Sequence, residues 1–150
     1  MPRLTADSPL GPITLVEEGG SIVALDWGGA GAHETPVLIE AHRQLAAYFE
    51  GALTAFDLPL APKVSERQRA FLDALRAIPF GETMTYGEIA RVTGMSAQGA
   101  GQACGANPIA IIIPCHRVTG TGHLGGFSAK GGVETKVALL RHEGAASLLI

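Results

Sequence analysis

The chain has 150 residues, 47% of them hydrophobic, with 11 basic and 14 acidic side chains for a net charge of -3. It can bury a core without disulfides or metal, and its longest purely apolar run, Ile109 to Ile113, is far below the ~20 residues that cross a bilayer. The charge excludes bulk electrostatic binding of nucleic acid. Two cysteines and an opening Met1-Pro2-Arg3 that leads into no signal-like apolar segment point to a soluble protein of the cytoplasm.

The charge is uneven. Residues 1–77 carry 6 basic and 10 acidic side chains and residues 78–150 carry 5 and 4, so any contact with DNA belongs to the second half.

Ile13–Val16 and Ile22–Trp27 are short apolar, β-branched runs around Glu17-Glu18-Gly19-Gly20-Ser21, which reads as a hairpin, with Trp27 as a core residue closing it. From Val37 to Glu50 the spacing of Leu38, Ala41, Leu45, Tyr48 and Phe49 predicts a helix whose apolar stripe covers the sheet and which Gly51 ends. Phe56 to Pro62 contains two prolines and reads as a connector or edge strand. A lobe boundary at Pro62 divides the chain into 1–62 and 63–150.

The second lobe has the punctuation of a helix-turn-helix. Ser65 caps a helix to Ala77 with Phe71, Leu72, Leu75 and Ile78 inward. Thr85-Tyr86-Gly87-Glu88 has capping-box spacing and opens a short helix to about Val92. Gly94 supplies a turn, and Ser96 caps a third helix through Cys104. That helix, with Ala97, Gly99, Gly101 and Gly105, is a poor helix former, since each Gly costs ~1 kcal/mol against Ala. Close approach of another backbone, within the protein or in DNA, would require such small side chains. Ile109 to Ile113 reads as a buried strand or extended segment leading to Cys115-His116-Arg117. Thr119 to Gly132 holds six glycines and reads as loop. Val133 to Glu143 restores a helical stripe.

A nucleophilic cysteine needs a base or a positive charge nearby. Cys115 is followed by His116, whose ring in an extended segment would point to the opposite face and act through a water. Glu143 is the candidate carboxylate to orient it. Cys104 reads as a buried small hydrophobe, His123 and His142 as surface residues, and His33 with His42 as too thin a set for zinc.

Asn107-Pro108-Ile109-Ala110-Ile111-Ile112-Ile113-Pro114-Cys115-His116-Arg117-Val118 resembles the active-site signature of the O6-alkylguanine-DNA alkyltransferases. Ile78-Pro79-Phe80-Gly81-Glu82-Thr83, Thr85-Tyr86-Gly87, Gly125-Gly126-Phe127-Ser128 and Leu139-Leu140-Arg141-His142-Glu143-Gly144 resemble the same family in the same order. The first lobe matches more weakly, through Ser8-Pro9-Leu10-Gly11-Pro12, Gln44, Tyr48-Phe49 and Phe56-Asp57-Leu58-Pro59. The resemblance implies an α/β lobe with a ribonuclease-H-like sheet, then an α-helical winged helix-turn-helix lobe. It implies a monomer that binds duplex DNA through the minor groove, flips out O6-alkylguanine and takes the alkyl group once, with no cofactor.

Carried over by residue, Cys115 would be the nucleophile, His116 its water-linked base and Glu143 the residue orienting that base. Asn107 would stabilise the turn before the cysteine, and Tyr86 would sit by the flipped nucleotide's phosphate and give a proton to the departing base. Phe127 would wall the base pocket, and Val118 and Ser128 would offer backbone groups to the guanine edge. Gln98, with Ala97 and Gly101, would meet DNA. Arg117 would point away and support the fold by local pairing.

Three departures stand out. The family usually carries an arginine where this chain has Gln98, the turn before that helix is about two residues shorter than is common, and Ala129-Lys130 separates Ser128 from Gly131-Gly132. The competing readings are a lesion-binding sensor without transfer, in which the cysteine is typically replaced, a cysteine hydrolase, for which no oxyanion-hole motif is evident, and a regulator that uses self-alkylation as a signal, for which the sequence offers no further domain to read it.

Overall fold

The computed structural model describes residues 1–127 and 131–145, and the chain divides into two compact units, Met1–Lys63 and Val64–Ile150. No helix among the described residues is long and apolar enough to cross a membrane.

In the first unit β1 (Arg3–Ala6), β2 (Ile13–Glu18) and β3 (Ser21–Trp27) form an antiparallel sheet in the order β1-β2-β3. The β2–β3 turn passes through Gly19 and Gly20, both at positive φ, where a side chain would be strained. Helix α1 (Pro36–Phe49) begins at Thr35, whose hydroxyl accepts from the Leu38 amide, and Pro36 occupies its first position, where a missing N–H costs nothing. Its buried residues are Leu38, Ala41, Gln44, Leu45 and Tyr48, and the helix packs on the sheet. Burying Leu38 or Leu45 contributes about 1.5–3 kcal/mol. Gln44 is buried because its amide clamps the connector, donating to Asp57 O and accepting from Asp57 N, each at 2.9 Å. That hold lets Pro59–Ala61 pair with Ile22 at the sheet edge. Two expectations change here: β1 was not anticipated, and Trp27 is only half-buried at the strand end.

In the second unit α2 (Glu66–Arg76) starts at Ser65 and buries Phe71, Leu72 and Leu75, with Ile78 just beyond. β4 (Met84–Thr85) leads into α3 (Tyr86–Thr93), whose capping box between Thr85 and Glu88 is formed on both sides. Gly94, left-handed at φ 71°, turns the chain into α4 (Ala97–Gly105), capped by Ser96. A 3-10 turn (Cys115–Arg117) precedes β5 (Val118–Thr119), and α5 (Val133–His142) closes the unit. The pairing of β4 with β5, Met84 beside Val118 and Thr85 beside Thr119, decides the site. It fixes Tyr86, the next residue after β4, close to the cysteine turn that runs into β5.

The expected strand at Ile109 to Ile113 is absent. The segment is a compact turn, with Ile113 N–H donating to Ile109 O at 2.9 Å and Ile112 N–H to Ala110 O at 2.8 Å. Ile111 has φ 70°, a genuine outlier for a β-branched residue that costs about 1–3 kcal/mol. Burial of Ile109, Ile111 and Ile113, each at most 1% exposed, offsets that strain. An apolar run of four isoleucines around Ala110 carries the sequence signature of a strand, and the tertiary fit overrides it.

Candidate active site

Asn107 ties the two ends of the turn together. Its Nδ2 donates to Ile113 O at 2.8 Å and its Oδ1 accepts from Ile109 N at 3.0 Å. The turn delivers Cys115, 7% exposed, to the wall of a cavity of about 800 Å³ whose other lining residues include Tyr86, Gly101, Cys104, His123 and Phe127. Burial pushes the Cys115 thiol pKa up, while a hydrogen bond with Asn107 and the charge of Lys136 pull it back. The resting residue is therefore a thiol that needs a base.

The candidate base is the next residue, His116. Cys115 and His116 lie in a 3-10 turn and not in an extended segment, so the expected alternation of faces does not apply. His116 is completely buried and its Nε2 lies 2.8 Å from Glu143 Oε2. A carboxylate only accepts, so the ring proton sits on Nε2 and Nδ1 carries the lone pair. Among the described residues Nδ1 has no hydrogen-bond partner. Burial lowers the His116 pKa, and Glu143 opposes that shift. The ring is neutral at pH 7, which is the form that accepts a proton.

Glu143 holds a second partner besides His116. Arg117 donates to it from Nε at 2.8 Å and from Nη2 at 3.0 Å, and its Nη1 donates to Ile78 O at 2.6 Å. The expected local pairing of Arg117 is thus a buried fork on the same carboxylate that holds His116.

Lys136 is a site residue that the sequence reading missed. It is fully buried, and its ammonium donates to Val118 O at 2.6 Å, to Gly126 O at 3.1 Å and to Tyr86 Oη at 3.5 Å. Three donors meet three acceptors. Its spacing from Leu139, Leu140 and Glu143 sets it on the inward stripe of α5, the one hint of burial in the sequence, although that spacing names none of its partners. Tyr86 is held protonated, its pKa pushed up to about 12 by burial and by the cysteine sulfurs of Cys104 and Cys115.

The cavity also gathers Ala97, Gly101 and Phe127, whereas Gln98 is exposed on α4 and is not among the cavity residues. Val118 is buried with both backbone groups engaged, its N–H to Cys115 O and its carbonyl to Lys136. Ser128, with Ala129 and Lys130, lies outside the described residues. Cys104 departs from its expected role as a buried hydrophobe: it is half-buried and lines the cavity with Cys115, and burial pushes its pKa up to about 12. His123 is exposed as expected, yet it too lines the cavity, and the His142 ring meets Phe80 edge-on.

The glycines of α4 differ in their surroundings. A Cβ at Gly101 would come no closer than 3.9 Å to the Tyr86 ring, and one at Gly105 would meet nothing within 4 Å. Packing inside the protein therefore does not require glycine at 101 or 105, whereas a Cβ at Gly99 would lie 3.2 Å from Ser96 Oγ. Among the described residues no three of His, Cys, Asp or Glu gather as metal ligands.

Comparison with known proteins gives concordant results. Residues 3–62 match the ribonuclease-like domain of 6-O-methylguanine DNA methyltransferase, and residues 66–145 match the DNA binding domain of the same family. A methylated-DNA–protein-cysteine methyltransferase of Methanosarcina acetivorans is 43% identical over 150 residues, covering 92% of this chain and 95% of its own. The protein of that name from Mycobacterium bovis is also 43% identical, covering 93% and 90%. Among solved structures, Mycobacterium tuberculosis OGT in complex with DNA is similar with a TM-score of 0.87 and 40% identity, covering 97% of this chain and 94% of that one.

Proposed function

Since the chain belongs to the 6-O-methylguanine DNA methyltransferase family, we propose that it repairs O6-alkylguanine in DNA by taking the alkyl group irreversibly onto its own Cys115. The observation that carries this reading is a thiol on a cavity wall beside a neutral histidine whose unprotonated Nδ1 is backed through Nε2 by a buried carboxylate.

His116 Nδ1 takes the thiol proton through a water, and Glu143 stabilises the imidazolium that forms. The sulfur attacks the alkyl carbon, an S–C bond forms, the C–O6 bond breaks, and its electron pair leaves with guanine. Tyr86 gives the base a proton. Charge on the Cys115 sulfur is one of the factors raising the Tyr86 pKa, so its loss as a thioether forms makes Tyr86 a better acid as the base departs. Tyr86 is reprotonated from His116 or solvent, and on balance the thiol proton ends on guanine. The thioether is a poor leaving group, so each molecule reacts once, and neither metal nor organic cofactor has a step to perform.

The target atom is not reachable in the stack, so the nucleotide enters the cavity flipped out. The first lobe, residues 1–62, is read as a ribonuclease-H-like sheet, and residues 63–150 as a winged helix-turn-helix. In this reading α4 enters the minor groove, where the bare surface at Ala97, Gly101 and Gly105 admits a close backbone and Gln98 fills the gap left by the base. Ser128 belongs to the reading as a backbone partner of guanine. The protein is read as a cytoplasmic monomer. A lesion sensor without transfer is disfavoured because Cys115 is present with its base. In the test, Cys115→Ala binds alkylated duplex and leaves it unrepaired; repair by the alanine variant would overturn the assignment.

A further inference from the structure

The cavity carries two polar side chains that the chemistry above does not use, those of Thr121 and His123. Gly120 and His123 close a tight turn, with an antiparallel bridge between them and His123 N–H donating to Gly120 O at 3.4 Å. The imidazole folds back over Gly120, where an added Cβ would lie 1.9 Å from Cε1 and 2.2 Å from Nε2 of the ring. Position 120 therefore has to be glycine for the ring to sit there. Gly125 N–H donates to His123 Nδ1 at 3.2 Å, which makes Nδ1 the acceptor and places the ring proton on Nε2. The result is a positioned N–H donor on an exposed residue of the cavity wall.

Of the other described residues of that wall, Thr121 alone offers a further unused side-chain donor, a hydroxyl that also accepts. Ala97, Gly101, Gly105 and Phe127 have no polar side-chain atom, and Cys104 and Cys115 are held as thiols. Lys136 has committed its three donors within the protein. Cys115 is buried whereas His123 is exposed, so a base seated against the thiol leaves its sugar and phosphates toward solvent, where His123 is.

We propose that His123 is a DNA-binding residue of this site, donating from Nε2 to a phosphodiester oxygen of the extruded nucleotide. The inference rests on the reading of O6-alkylguanine in DNA as substrate. With Nδ1 occupied by Gly125, the ring presents only a donor to the cavity, and a group that only donates suits an anion better than a base edge that mixes donors and acceptors.

The experiment compares wild type, His123→Ala and His123→Gln on duplex DNA containing O6-methylguanine and on free O6-benzylguanine, with Cys115 alkylation followed in each case. Loss of one partly exposed hydrogen bond to phosphate raises the half-saturating duplex concentration of His123→Ala about tenfold. The limiting rate and the free-base rate change by no more than about twofold, because neither depends on holding the DNA backbone. His123→Gln keeps an N–H donor and recovers most of the loss. Equal losses on both substrates would make His123 a prop for the loop, and an unchanged half-saturation would remove it from the interface; either overturns the proposal. Absence of Cys115 alkylation in the wild type with both substrates would instead overturn the underlying reading and this inference with it.

Discussion

Glu143→Gln separates the two tasks of the buried carboxylate. Glu143 accepts from His116 Nε2 at 2.8 Å and from Arg117 Nε and Nη2 at 2.8 and 3.0 Å, with its side chain fully buried. Glutamine offers one acceptor oxygen where two are used, and its NH2 faces a donor whichever way it is turned. It also removes the counter-charge of Arg117, which is itself only 8% exposed. Breaking a buried pair from one side costs about 3–5 kcal/mol, and at about 2–4 °C per kcal/mol for a chain of this size Tm falls by about 6–20 °C. Circular-dichroism melting measures this, and the double variant Arg117→Met with Glu143→Gln should recover much of the loss. The kinetic effect has a separate signature. Glu143 raises the His116 pKa against the effect of burial, so its removal drives that pKa lower and makes the base weaker. Proton removal from the thiol then depends on hydroxide. The rate deficit, measured well below the variant's Tm, shrinks as pH rises toward the elevated Cys115 pKa and persists in the double variant. An unchanged Tm would refute the account of the Arg117 pair, and a deficit independent of pH would refute the relay.

Gly101→Ala gains about 1 kcal/mol of helix propensity, and its methyl meets nothing closer than 3.9 Å, so Tm rises while transfer from duplex DNA slows; a variant both more stable and equally fast would contradict the role given to the bare face of α4. Cys104→Leu adds bulk to the cavity wall beside Cys115, and competition between O6-methyl- and O6-benzylguanine in the same duplex should shift toward methyl, whereas an unchanged ratio would free Cys104 of any part in shaping the pocket. Gln98→Arg should speed duplex repair and steepen its salt dependence without changing the rate on free benzylguanine, and an equal rise on both would show that Gln98 does not fill the gap left by the base.

Local chemistry explains what was legible in the sequence. Thr85 and Glu88, Ser65, Ser96 and Gly94 mark helix ends through hydrogen bonds or φ values that only a few residue types provide, and the structure has helix boundaries at each. His116 and Glu143, 27 positions apart, were expected to meet and form a 2.8 Å hydrogen bond. Features set by long-range fit were not legible. The run from Ile109 to Ile113 has strand-like residue types, and only burial together with the Asn107 clamp turns it into a compact loop. β4 and β5 are two residues each, too short for any periodicity, yet their pairing brings Tyr86 to the cysteine turn. Lys136 was hidden because a lysine is ordinarily read as solvated, and its carbonyl partners on Val118 and Gly126 come from distant loop and strand positions that no sequence pattern specifies.

The measurement that bears most directly on the central claim is peptide mass spectrometry of the protein after incubation with duplex DNA containing a single O6-methylguanine. One methyl group on Cys115, none on Cys104, and an equimolar yield of restored guanine is the expected result. A methyl group on Cys104, or continued repair by a protein whose Cys115 stays unmodified, would contradict the account.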